Sequence, residues 1–333
     1  MSGRTNCANL TAGNMQTGNR IGYHTEASIS EEPGAKIPHA GIRAGGGRVT
    51  ALPTATCAFS INQVIMALYK ITESVKELPR DLGQLKDVDL FDDDRYAAIF
   101  QNQDKQIVRF LDQIIPLPVV LNHPKIRVID ENKFLIAASR NKRQAKNAYI
   151  FDKAGQVISN FGCGDAIKNI IVTENRIVFT YFDEGIFGRG DISPEGLAVF
   201  DLNGAYQAGY RSFFGSQAED IADCYCACLY KRNMLYFCAY TEFRIVRWDL
   251  DRFQQEITPI PDSLHGAHAL TTDGTTFYLY SPYHGKGNLY AWRPEFPSPE
   301  QIGSLYYRLR GLSDARFLSK GEDSYTLIKI EST

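Results

Sequence analysis

No run of the 333 residues stays apolar for the roughly 20 positions that a membrane-crossing helix needs. The first ten residues, Met1 to Leu10, also lack the charged-then-apolar layout of a secretory leader. An excess of one charge is missing as well. Thirty-six Lys and Arg against 38 Asp and Glu leave a formal net charge of -2, and without a basic excess general nucleic-acid binding is not expected. Familiar catalytic signatures are absent. There is no P-loop, dinucleotide fingerprint or HExxH, and Phe214-Gly215-Ser216-Gln217 lacks the second glycine of a serine-nucleophile elbow. The seven cysteines are an odd number without a regular framework, which fits a reducing, cytoplasmic setting.

Aromatic residues are scarce in one place. The first 58 residues hold no Phe or Trp, one Tyr (Tyr23), and a glycine run from Gly45 to Gly47. Such a segment cannot bury enough apolar area to offset the entropy of ordering it. Residues 1–65 are therefore expected to be a flexible leader or upstream extension, with the folded unit at 66–333. Across the whole chain, 44% hydrophobic and 12% aromatic residues suffice for a sizeable core.

Beyond the leader, four short segments share one shape: Tyr149-Ile-Phe-Asp152, Ala198-Val-Phe-Asp201, Val246-Arg-Trp-Asp249 and Tyr290-Ala-Trp-Arg293. Their aromatics Phe151, Phe200, Trp248 and Trp292 lie 49, 48 and 44 residues apart. A 40–50-residue period made of strands is the signature of propeller blades, four-stranded sheets packed radially around a channel. Asp152-Lys-Ala-Gly155 and Asp201-Leu-Asn-Gly204 are turns of the kind expected between such strands. The fold expected is an all-β propeller of six blades, with seven as the alternative. Six follows if residues 66–78 complete the sheet begun by 306–330, so that both ends of the repeat region close one blade. Residues 66–78 read as two short strands, although their apolar spacing also fits a helix; Tyr69 precedes Phe110 by 41 residues, as Phe110 precedes Phe151. Cys224, Cys226 and Cys228 alternate, so on a straight strand they share a face, most simply as small apolar residues packed between blades.

Over residues 66–330 the chain resembles β-propellers of the broad WD40/NHL-like class, and Trp248-Asp249 reproduces the dipeptide at the end of a third strand. Tyr181-Phe-Asp-Glu-Gly-Ile-Phe-Gly188, Gly196 to Asp201 and Asp223-Cys-Tyr225 resemble bacterial propeller-like proteins that are themselves uncharacterised. The resemblance implies a fold and a bacterial origin, and carries no activity with it.

On a propeller template, the loops leading into first strands and those joining second to third strands open on one face. The former would bring Asp165, Asp220, Asp223, His265, His268 and Asp314 there, the latter Asp183, Glu184, Glu242 and His284. Phe182, Phe187, Phe243, Tyr280 and Tyr283 fall in the same second-to-third loops. Aromatics ringed by charge resemble a protein-binding hot spot. The first expectation is accordingly a monomeric interaction module without cofactor. It would bury Phe182, Phe187, Phe243 and Tyr283 against a partner, while Asp183, Glu184 and Glu242 select a basic partner surface. The alternative is a metal-dependent hydrolase or lactonase using Asp183, Glu184, Asp223 and His268 around Ca²⁺ or another divalent ion. A sugar- or peptide-binding sensor is a third possibility.

Overall fold

The computed structural model describes residues 69–141 and 146–332; the leader expected over 1–65 lies outside them. Six antiparallel four-stranded sheets form the blades of a β-propeller. Their innermost strands are Gln84–Leu90, Pro124–Asp130, Ile167–Val172, Asp223–Tyr230, Ala269–Thr272 and Leu309–Gly311, which define blades one to six in that order. Among the described residues no helix is long and apolar enough to cross a membrane.

Blade six closes the ring. Its outermost strand, Tyr69–Glu77, pairs with Ser324–Ser332 from Tyr69 opposite Ser332 to Glu77 opposite Ser324. The six-blade expectation holds, because Tyr69–Glu77 shares one sheet with Leu309–Gly311, Arg316–Lys320 and Ser324–Ser332, and the described residues form no seventh. The two-strand reading of 66–78 is corrected: Thr72, Glu73 and Ser74, placed there in a turn, pair straight through with Lys329, Ile328 and Leu327. Tyr69 also sits in an outermost strand, so its spacing from Phe110 does not mark a third strand.

The core lies between blades rather than within any one of them. Successive apolar clusters join blades two to four, four to five, five to six, six to one and one to two. The repeated aromatics are the centre of this packing: Phe110, Phe151, Phe200, Trp248 and Trp292 are all buried. Phe151 stacks on Phe134 of its own blade, with ring centres 5.3 Å apart, and Trp248 meets Tyr210 edge-on at 5.3 Å. The aspartate that follows Phe151, Phe200 and Trp248 caps the next turn. Asp152 Oδ1 accepts from the N–H groups of Ala154 and Gln156, and Asp201 Oδ1 from those of Asn203 and Ala205. Gly204 closes the second of these turns with φ +88°, and a Cβ there would lie 2.1 Å from the Phe161 ring.

The cysteines depart from the straight-strand expectation. The pairing of Asp223–Tyr230 with Met234–Tyr240 shifts between Cys224 and Cys226, which is a bulge at Tyr225. Cys224 therefore packs toward blades two and three, while Cys226 and Cys228 pack toward blade five. All three are free and buried, as small apolar residues would be.

Candidate functional site at the channel mouth

The six innermost strands line the central channel, and a network of buried charge divides it. Arg127 of blade two, 3% exposed in its side chain, donates to Asp87 Oδ2 of blade one at 2.8 Å, to Asn169 Oδ1 of blade three at 3.0 Å and to the Ile170 carbonyl at 2.7 Å. Arg310 of blade six donates to Asp89 Oδ1 of blade one at 2.8 Å and to the Val88 carbonyl at 3.0 Å. The two aspartates also take up edge donors of the next blade: Asp87 accepts from the Ile126 N–H and Asp89 from the Val128 N–H. Burial pushes the Asp87 carboxyl up, but Arg127, Arg310, Lys125 and that N–H outweigh it and hold the group below its ordinary value. The network is thus a charged floor, with a cavity of about 490 Å³ below it and one of about 1330 Å³ above.

The upper cavity is the channel mouth, and its wall is cationic. Lys86, Lys125, Arg140, Lys168, Arg308 and Lys320 line it together with the floor arginines, and Asp87 is the one carboxylate among the lining residues. Arg140 is held by Glu184 and Asp165, and Lys168 lies 3.9 Å from Asp223 Oδ1. Lys86, Lys125, Arg308 and Lys320 form no ion pair among the described residues; Lys86 reaches Gln84 Oε1, and Lys320 reaches backbone carbonyls. Burial lowers the Lys125 ammonium to about 8, and Arg127, Arg310 and Lys168 push the same way against a favourable Asp87. Aromatic groups occupy the opposite arc: Phe182 of blade three, Tyr225 of blade four and His268 of blade five. Tyr225 and His268 stack at 5.8 Å with planes 13° apart.

The expected partner residues separate into an exposed group and a packed group. Asp183 and Glu184 sit on a one-turn helix, Asp183–Ile186, with Phe187 after it 74% exposed. Phe182 precedes the turn, half-buried, with the Arg140 guanidinium 5.3 Å over its ring. Glu242 is exposed, as is Tyr283, whose hydroxyl meets that of Tyr225. Phe243 is a correction. It is 6% exposed, turned inward by a backbone φ of +52°, and packed among Tyr225, Tyr240, His265 and Tyr283. Tyr280 is buried too, its hydroxyl donating to the Leu305 and Tyr307 carbonyls.

The four expected metal ligands do not form one cluster. Glu184 is taken by Arg140. Asp223 is pushed up by burial and by Asp183, with Lys168 opposing. His268 is lowered by burial and by the same lysine. Besides Arg140, the cation among these groups is the Lys168 ammonium, 5.5 Å over the Tyr225 ring. Among the described residues no group of three or more His, Cys, Asp or Glu could hold a metal ion.

The basic wall is what sequence reasoning missed, although a signal existed. A basic residue lies within two positions of the start of the innermost strand in four blades: Lys86, Lys125, Lys168 and Arg308.

No protein-family model matches the chain, and no curated protein matches it by sequence. Several solved propellers are similar to it in shape at low identity. Virginiamycin B lyase from Staphylococcus aureus is 10% identical over 78% of this chain and 99% of its own, with TM-score 0.47. BamB from Moraxella catarrhalis is 13% identical over 78% and 98%, with TM-score 0.40. The RRP9 WD40 repeats are 8% identical over 79% and 100%, with TM-score 0.46. The strand pairing itself, six antiparallel four-stranded sheets, makes the chain a six-bladed β-propeller.

Proposed function

We propose that the chain is a recognition module whose working face carries the channel mouth and its surrounding loops. One observation carries this reading: that face combines a roomy cavity with exposed Phe187, Tyr240 and Tyr283 around it. The exposed rings stand on buried packing, since Tyr240 and Tyr283 both contact the inward Phe243. Anchors that are already held lose little freedom on binding, which favours contact there. A protein partner would cover Phe187, Tyr283 and the neighbouring Asp183 and Glu242. On this reading the partner would present the opposite charge to the basic surface expected above. Glu184 is neutralised by Arg140, and the cavity beneath presents uncompensated cations, so an acidic group facing the mouth fits better.

The test is affinity capture with three proteins: wild type, a Phe187→Asp/Tyr283→Asp variant, and a control Val75→Lys on the outermost strand of blade six. A partner recovered by wild type and control, and lost by the double variant at unchanged melting temperature, supports the reading. Equal recovery by all three overturns it.

A further inference from the structure

The cavity under this face has a chemistry of its own. Its uncompensated cations come from three consecutive blades: Arg308 and Lys320 from blade six, Lys86 from blade one and Lys125 from blade two. Its aromatic arc comes from the other three, through Phe182, Tyr225 and His268. Below, the Asp87–Arg127 and Arg310–Asp89 pairs close the channel, so a molecule entering the mouth meets a floor. We propose that this mouth binds a small organic polyanion, its anionic groups against Lys86, Lys125, Lys320 and Arg308 and its flat body against Phe182, Tyr225 and His268. The proposal rests on the reading that this face is the working one, but concerns the cavity rather than its exposed surroundings.

Like charges gathered in a partly enclosed space repel one another, and a bound polyanion removes that repulsion while contributing charge-assisted hydrogen bonds. Lys125 feels the crowding most. Its side chain makes no hydrogen bond or ion pair among the described residues, and the Asp87 carboxylate near it is already committed to Arg127. Three lysines and one exposed arginine suit phosphate or clustered carboxylates, for which lysine acts as a compact point charge. The volume of about 1330 Å³ exceeds what a lone inorganic ion would fill and leaves room for a ring system on the aromatic arc. Phe182 and Tyr225 already carry cations above their faces, Arg140 and Lys168, so the arc is itself electropositive near its edge.

Calorimetric titration tests this with metal-free ATP, tripolyphosphate, citrate and adenosine as probes. ATP supplies both a flat ring and a polyanion, tripolyphosphate and citrate supply only the charge as phosphate or carboxylate, and adenosine supplies only the ring. ATP is expected to bind about tenfold more tightly than tripolyphosphate or citrate, with adenosine not saturating. Lys125→Met and, separately, Lys86→Gln should each weaken ATP about tenfold while the fold melts at or above the wild-type temperature. Phe187→Asp/Tyr283→Asp should leave ATP binding intact, so a failed partner surface is separable from a failed cavity. Absence of binding by ATP, tripolyphosphate and citrate alike, or ATP binding unchanged in both lysine variants, overturns the proposal.

Discussion

Lys125 holds its ammonium among Arg127, Arg310 and Lys168, with Asp87 alone acting in its favour. Burial above all, and then these like charges, lower it to about 8 from the ordinary lysine value of 10.5. Between those values the unfolded chain binds the proton and the folded chain does not, so stability rises with pH through that window. Below about 8 the lysine exerts its full cost. Lys125→Met should therefore stabilise the protein at pH 7 by about 1–2 kcal/mol and flatten the rise toward pH 10, as read by urea unfolding at several pH values. Asp87 works in the opposite sense. Its folded value is lowered, so it contributes stability above the unfolded value that is lost as pH falls through the folded one. Asp87→Ala strands the buried Arg127 and should cost about 3–5 kcal/mol by the same measurement. Neither role is legible in one residue of sequence. Lys125 and Asp87 meet only because consecutive blades set their innermost strands side by side, and Phe243 points inward through a backbone φ of +52° that its neighbours in the chain do not announce.

Strands and turns were far more readable than side-chain directions. Alternating apolar residues, an aromatic near the end of the third strand and an Asp cap after it recur in blades two to four, and each device is local. Blade closure was readable for a different reason, since an incomplete unit at one end of the repeat region needs a strand from the other. The bulge at Tyr225 was not readable, because it depends on how Asp223–Tyr230 registers against Met234–Tyr240. That bulge places the Tyr225 ring in the mouth, where it is one of the three groups of the aromatic arc. The closing strand supplies a prediction of its own. A Ser74→Pro substitution would remove a ladder hydrogen bond opposite Leu327 and expose an edge, lowering stability by about 3 kcal/mol and promoting aggregation on heating. Val75→Lys, on an exposed position of the same strand, should change stability by less than about 0.5 kcal/mol.

At the scale of the molecule, the whole chain's net charge of -2 conceals strong local asymmetry in the ring. Acidic residues cap turns and pair around the outside, while Lys86, Lys125, Lys168 and Arg308 converge from four blades on one opening. Composition averages over this arrangement, and the acidic loop residues Asp183, Glu184 and Glu242 drew the sequence reading toward a basic partner. The folded ring reverses the emphasis by setting an uncompensated cationic cavity behind those loops. Its most direct test is the ionisation of Lys125, followed by NMR after ¹³C-dimethylation of the lysines, with Lys125→Met assigning the signal. One lysine should titrate near pH 8 and shift upward when tripolyphosphate is added, as a filled cationic mouth requires. A Lys125 signal that titrates with the exposed lysines, and does not move with tripolyphosphate, would contradict it.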